Sequence, residues 1–222
     1  MKTERDLAIV YEDRDILAVN KKAGLLTIGT DKDKEHNLYH YVREYANLHR
    51  QRIFIVHRLD RDTSGLILFA KSFPLKERLQ EEFEKRTVKR YYEAVVREKL
   101  PLHIKTKVVQ YLSYDERSGL VRVSHNPKEG KEAITLIETH NYNDLGTVLN
   151  IEILTGRQNQ IRLALHSLHY TLIGDSKYAH DKSRKMLLNA YEIVLPSSLR
   201  LKEHCFALSP SWLKEEKKDS HL

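Results

Sequence analysis

The chain has 222 residues, enough for one sizeable core. It carries 38 Lys and Arg against 31 Asp and Glu, net +7, which favours a polyanionic partner and fits equally a soluble protein with a modest positive excess. The single cysteine, Cys205, excludes an internal disulfide, and no apolar stretch approaches the roughly 20 residues of a membrane span. Residues 1–6 lack the apolar core of a signal peptide, so a cytoplasmic protein is expected.

Residues 7–11 and 16–20 flank Glu12-Asp13-Arg14-Asp15 and predict a hairpin. The spacing of Leu38, Tyr41, Val42 and Tyr45 predicts a helix over 37–49. A short apolar strand at 53–56 leads into turn residues, and the run Leu66-Ile67-Leu68-Phe69-Ala70 then reads as a strand buried on both faces. Leu75, Leu79 and Phe83 predict a helix over 75–85. Strands are expected at 86–97, 104–112, 118–124, 132–140 and 146–154, separated by turn-rich pieces and joined as an antiparallel meander. A helix over 157–169 and a strand over 186–195 follow. The expected organisation is one domain over 1–212 and a charged, frayed tail over 213–222.

The chemistry concentrates at His57-Arg58-Leu59-Asp60-Arg61-Asp62-Thr63-Ser64-Gly65. Asp60 sits among arginines on a turn at the rim of a buried strand. Close cations lower an Asp pKa by roughly 1–3 units, so Asp60 is expected to stay ionised, as a nucleophile would need. Taken alone, the segment serves equally as a structural turn with a surface Arg–Asp pair. His-Arg-Asp would open a protein-kinase catalytic loop, but Leu59 interrupts it, and the Gly-rich loop and Asp-Phe-Gly triplet are missing.

The segment resembles the signature of the RluA-type pseudouridine synthases: His-Arg-Leu-Asp, two variable residues, Thr-Ser-Gly-Leu, then an apolar strand ending in Ala-Lys. Three further blocks are similar to the family's and occur in family order. These are Asn20-Lys21-Lys22-Ala23-Gly24-Leu25-Leu26, with Lys22 where proline is usual; Arg90-Tyr91-Tyr92-Glu93-Ala94-Val95-Val96; and Thr155-Gly156-Arg157-Gln158-Asn159-Gln160-Ile161-Arg162, running on to Gly174-Asp175. Together they span roughly residues 16 to 175.

The resemblance implies an α+β pseudouridine synthase fold with a mixed, largely antiparallel sheet and a basic cleft. It implies Asp60 as the nucleophile or base at the ribose, Tyr92 as a ring against the target base that helps with the carbon-5 proton, and Arg162 as the partner that keeps Asp60 charged. It also implies Arg58 filling the stack vacated by a flipped uridine, and Ile161 as an apolar contact to the base. The substrate would be ribosomal or transfer RNA, with no metal, no organic cofactor and no obligatory protein partner, on a monomer. Family members often carry an RNA-binding domain before the catalytic one, and the first block near residue 20 leaves no room for it here. RNA contact is then expected from the catalytic domain, with Lys21, Lys22, Arg61, Lys71, Lys89, Arg90 and Arg157 as candidate phosphate contacts.

Besides Lys22, the chain departs from the family pattern at Gln158, Asn159, Ala164 and Asn189, and has His169-Tyr170-Thr171 where the family has Gly-His-Pro. Gln158, Asn159, Ala164 and Asn189 motivate the rival expectation of an RNA-binding protein without turnover. A hydrolase pairing Asp60 with Asp62 is a second rival. His36 and His40, and His166 and His169, have helical spacing for a metal but no carboxylate or Cys partner at ligand spacing, so none is expected.

Overall fold

The structure is a computed structural model that describes residues 7–31 and 33–208. The domain boundary at 212 and the tail over 213–222 lie outside the described residues.

Strands β1 (Ala8–Glu12) and β2 (Ile16–Lys21) form the expected hairpin. Asp13 Oδ1 closes its turn by accepting the N–H groups of Asp15 and Ile16. Helix α1 (Leu38–Leu48) starts on Asn37, whose side chain accepts the His40 N–H, and buries Leu38, Val42 and Ala46. Tyr41 and Tyr45 lie at the margins of that stripe. Strand β3 (Phe54–Ile55) is shorter than expected, and β4 (Ser64–Ala70) is buried almost throughout. Helix α2 (Phe73–Glu84) begins two residues before the first apolar residue that announced it, because Ser72 caps it and Pro74 fits its first turn.

Strands β5 (Lys89–Val96), β6 (Lys105–Asp115), β7 (Leu120–Ser124), β8 (Lys131–Asn143) and β9 (Gly146–Ile153) follow. After them come α3 (Gln160–Ser167), β10 (Leu188–Val194) and β11 (Cys205–Ala207). The sheet runs β1-β2-β4-β10-β5-β9-β8-β6-β7, with β3 on β4 and β11 on β10. Only β4 and β10 pair in parallel, so the sheet is mixed and largely antiparallel, as expected.

Four local expectations are corrected. The middle strands are not a simple meander: β7 pairs the C-terminal half of β6, and β8 returns along the other edge of β6. The strand expected from 86 starts at Lys89, because Arg86 adopts a left-handed conformation after α2. Arg86 therefore lies outside β5. The helix expected from 157 starts at Gln160, after a left-handed Asn159. Strand β11 was not anticipated; at three residues it is too short to show periodicity.

The period-2 alternation of β2 and β4 builds a core on each face of the sheet. Leu17, Val19, Ile67 and Phe69 pack with residues of α1 and α3, and Tyr92 of β5 joins them. Ile16, Ala18, Leu66 and Leu68 pack with Leu75 and Leu79 of α2. At the parallel crossing Gly65 has φ of 116°, and a Cβ there would stand 2.2 Å from the Ala190 carbonyl oxygen. Backbone strain and a backbone clash combine, so Gly65→Ala should cost about 3 kcal/mol or more, the upper end of ordinary point changes. Urea unfolding of the variant checks this; an unchanged midpoint would show that β4 and β10 separate freely.

Candidate active site

Asp60 lies in the irregular segment 56–63 between β3 and β4, and both side-chain and backbone hydrogen bonds hold that segment. Thr27 Oγ1 donates to the Leu59 carbonyl and accepts the Leu59 N–H. The Gly24 N–H donates to the Arg61 carbonyl, and the Thr63 N–H to the Asp60 carbonyl. His57 Nε2 accepts the Leu68 N–H at 2.9 Å, at a point between the rungs that β4 makes to β3 and to β10. Burial, then the Arg90 charge, pushes the His57 pKa down to about 3. The ring is neutral and serves as a ladder acceptor.

A cleft of about 890 Å³ opens over this segment. Asp60, Tyr92, Arg162, Arg58 and Ile161 all line it, so the fold brings together the five residues singled out in the sequence. Ile161 and Tyr92 are buried in the core that backs the cleft, and Arg58 is exposed at its wall. Burial drives the Tyr92 pKa up to about 12, with the Asp60 charge adding to it and Arg90 opposing. Tyr92 is thus a neutral phenol. Asp62 does not line the cleft; it is paired with Arg61 outside it.

Asp60 and Arg162 do not form the expected direct pair. Arg162 Nε and Nη2 donate to Asp175 Oδ2 and Oδ1 at 2.9 and 2.6 Å, with both side chains almost fully buried. Its remaining edge donates from Nη1 to Asn159 Oδ1 at 3.0 Å. The Asn159 backbone N–H in turn donates to Asp60 Oδ2 at 3.0 Å. Arg162 therefore acts on Asp60 through Asn159 and through space. Asp175 takes two donors of the guanidinium, and left-handed Asn159, with φ of 57° at the head of α3, bridges the rest, its side chain to Arg162 and its N–H to Asp60.

The expectation about Asp60 ionisation also changes. Burial raises its pKa above the ordinary carboxylate value, opposed by the Asn159 N–H and by the charges of Arg162, Arg58 and Lys177. The flanking arginines were legible in sequence; the desolvation was not. Asp175 runs the other way. Against the upward push of burial, the Arg162 guanidinium and the N–H groups of Tyr178 and Lys177 hold it low.

A profile for RNA pseudouridylate synthases matches residues 15–167. The chain belongs to that family. It is 36% identical, over 88% of its length and 65% of the relative's, to ribosomal large subunit pseudouridine synthase C of Rickettsia bellii. It is 30% identical to tRNA pseudouridine synthase C of Salmonella typhi, over 85% of this chain and 80% of that one. Its fold is that of human RNA pseudouridylate synthase domain containing 1, with a TM-score of 0.74 and 21% identity over 91% of this chain and 82% of that one. The chain spans 57%, 55%, 65% and 58% of the length of its Mycoplasma genitalium, Mycoplasma pneumoniae, Rickettsia and Buchnera relatives.

The departures at Asn159, Asn189, Ala164 and Gln158 each have a place. Asn159 links Arg162 to Asp60 as described. Asn189 Nδ2 donates to Glu93 Oε1, and its Oδ1 accepts from Ser64 Oγ, joining β10 to both neighbours. Ala164 is fully buried in the core, and Gln158 is exposed at the cleft.

Several basic residues expected at phosphates already hold a partner within the chain, Arg61 and Arg157 at the surface and Lys71 and Lys21 with buried side chains. Lys71 is paired with Glu12, Arg61 with Asp62, and Arg157 Nε donates to the Glu132 carbonyl. Lys21 is fully buried, and its Nζ donates to the carbonyls of Lys22, Leu25 and Arg61. It ties β2 to the residue after Asp60. Lys21→Met should leave the Leu25 carbonyl without a donor, while the carbonyls of Lys22 and Arg61 keep the N–H groups of Leu25 and Gly24, and should cost about 1–3 kcal/mol. Urea unfolding reads the loss; a variant as stable as wild type would mean that water reaches the Leu25 carbonyl.

Sequence reasoning missed Thr27, the Asn159 N–H and Lys177. Thr27 and Lys177 carry no local signal, and a backbone donor has no residue code. Among the described residues no helix is long and apolar enough to cross a membrane.

Proposed function

We propose that the chain is an RNA pseudouridine synthase that isomerises specific uridines of ribosomal or transfer RNA. The observation that carries this reading is the half-buried carboxylate of Asp60 in one cleft with the buried Tyr92 phenol and Ile161. Family membership and relatives named for both RNA classes support it.

The reaction breaks the bond from ribose C1′ to N1, turns the uracil, joins C1′ to C5, and moves the C5 proton to solvent while N1 gains one. Atoms balance and nothing is oxidised, so the chemistry calls for no metal or organic cofactor. Asp60 works at the sugar, by bonding to C1′ or by taking a ribose proton. The detached base is held between Tyr92 and Ile161. Tyr92 is protonated across the working range. It orders the site and passes the C5 proton on through its hydroxyl only as it gives up its own. Arg58, exposed on the wall, fills the gap left by the flipped nucleotide, which costs a few kcal/mol to extrude. The enzyme acts as a cytoplasmic monomer in this reading.

The test is tritium release from RNA labelled at uridine C5, taken from a host lacking the protein. Wild type should release tritium, and the mapped pseudouridine then names the target. RNA binding without release, on free RNA and on ribosomal particles alike, would instead establish a binding protein.

A further inference from the structure

Arg90 stands on β5 two residues before Tyr92 and lines the same cleft, yet it is only 9% exposed. Its guanidinium lies 5.5 Å from the centre of the Phe83 ring. A Cβ on Gly156 would come within 2.8 Å of its Nη1, so the glycine turn leaves it room. Its neighbour His57 is neutral. Among the described residues its Nε has no hydrogen-bond partner, and no carboxylate is paired with it. Burial works against its charge, and the nearby Tyr92 phenol, itself neutral, brings no counter-charge.

Arg162, buried in the same cleft, shows the contrast. That guanidinium has a bidentate carboxylate and an amide oxygen. Arginine cannot shed its proton, so a buried guanidinium without a counter-charge forfeits its hydration for nothing the protein supplies. The Arg90 guanidinium sits by the Phe83 ring with Nε buried, and its terminal nitrogens remain for a ligand. A guanidinium edge matches a phosphate in two parallel N–H···O bonds.

We propose that Arg90 is a phosphate-binding residue that takes a phosphodiester of the RNA strand whose uridine stands at Asp60. The inference rests on the RNA reading above and adds a subsite to it. Of the other basic residues traced above, Lys21 and Lys71 hold their partners with buried side chains, and Arg61 and Arg157 are exposed with one partner each. Arg90 has none, and it faces the cleft.

The experiment compares wild type with Arg90→Met in the full chain. Binding of a fluorescent decauridylate is measured as a function of salt, and thermal unfolding is measured beside it. One lost phosphate contact on a single strand should flatten the slope of log affinity against log salt by about 0.7. The unfolding temperature should hold or rise, because an unpaired buried charge has been removed. The slope decides: a slope equal to that of wild type overturns the site, all the more if the variant is also less stable, since Arg90 then only braces the fold. Arg90→Gln carries the same reading if Arg90→Met does not fold. Wild type that releases tritium from labelled RNA while the slope stays put removes the phosphate site alone. Wild type that neither binds the oligonucleotide nor releases tritium removes the RNA reading and the site together.

Discussion

Asp60→Asn is expected to abolish tritium release while leaving a fold more stable than wild type at neutral pH. The loss should be about 10⁴-fold or more, the scale on which removal of a reacting side chain is felt. The amide keeps an oxygen for the Asn159 N–H, so the loop should stay in place. The stability gain follows from the raised pKa of Asp60. Between the unfolded value of 3.8 and the higher folded value, the folded chain binds more protons than the unfolded one. That contribution is fully present below 3.8 and is lost as pH rises through the folded value. Above that folded value the wild type carries an ionised, partly desolvated carboxylate at a cost that Asn does not bear. Urea midpoints of the two proteins should diverge on going from pH 5 to pH 8 and converge toward pH 4. The same shift places the acid limb of kcat/KM above the ordinary Asp range. A variant less stable than wild type at pH 8 would mean that the Asn159 N–H and the surrounding cations outweigh burial.

Arg162→Ala should cost about 3–5 kcal/mol, because it leaves the Asp175 carboxylate buried without its guanidinium. Asp175 would keep the N–H groups of Lys177 and Tyr178, which soften the loss but bring no positive charge. Asn159 Oδ1 would lose its donor as well, and with it the hold on the backbone N–H that faces Asp60. Turnover should therefore fall further than unfolding explains, even when assayed well below the variant's transition. Pairing Arg162→Ala with Asp175→Ala should return part of the stability and none of the turnover. Singles that simply add in the double variant would show that the ion pair contributes nothing to the fold.

Much of the architecture was legible along the chain. An unbroken apolar run located β4, turn residues bounded β2, β8 and β9, and helical spacing located α1 and α2, because the helices bury one face and the period shows it. The motif residues Asp60, Tyr92, Arg162, Arg58 and Ile161 were legible as well, and they do meet in one cleft. Element ends were less so. The starts of β5 and α3 are set by left-handed residues, Arg86 and Asn159, whose conformations leave no periodic trace.

What the tertiary structure decided is which charge meets which. Sequence placed arginines beside Asp60 and implied that Arg162 would hold it. The fold gives Arg162 to Asp175, puts a backbone N–H on Asp60, ties Lys21 into carbonyls, and leaves Arg90 without a counter-charge. Hydrophobic burial is read from a local period because it is non-directional and scales with area. Ion pairing and desolvation depend on a few ångströms between segments far apart in the chain, and only packing sets those distances.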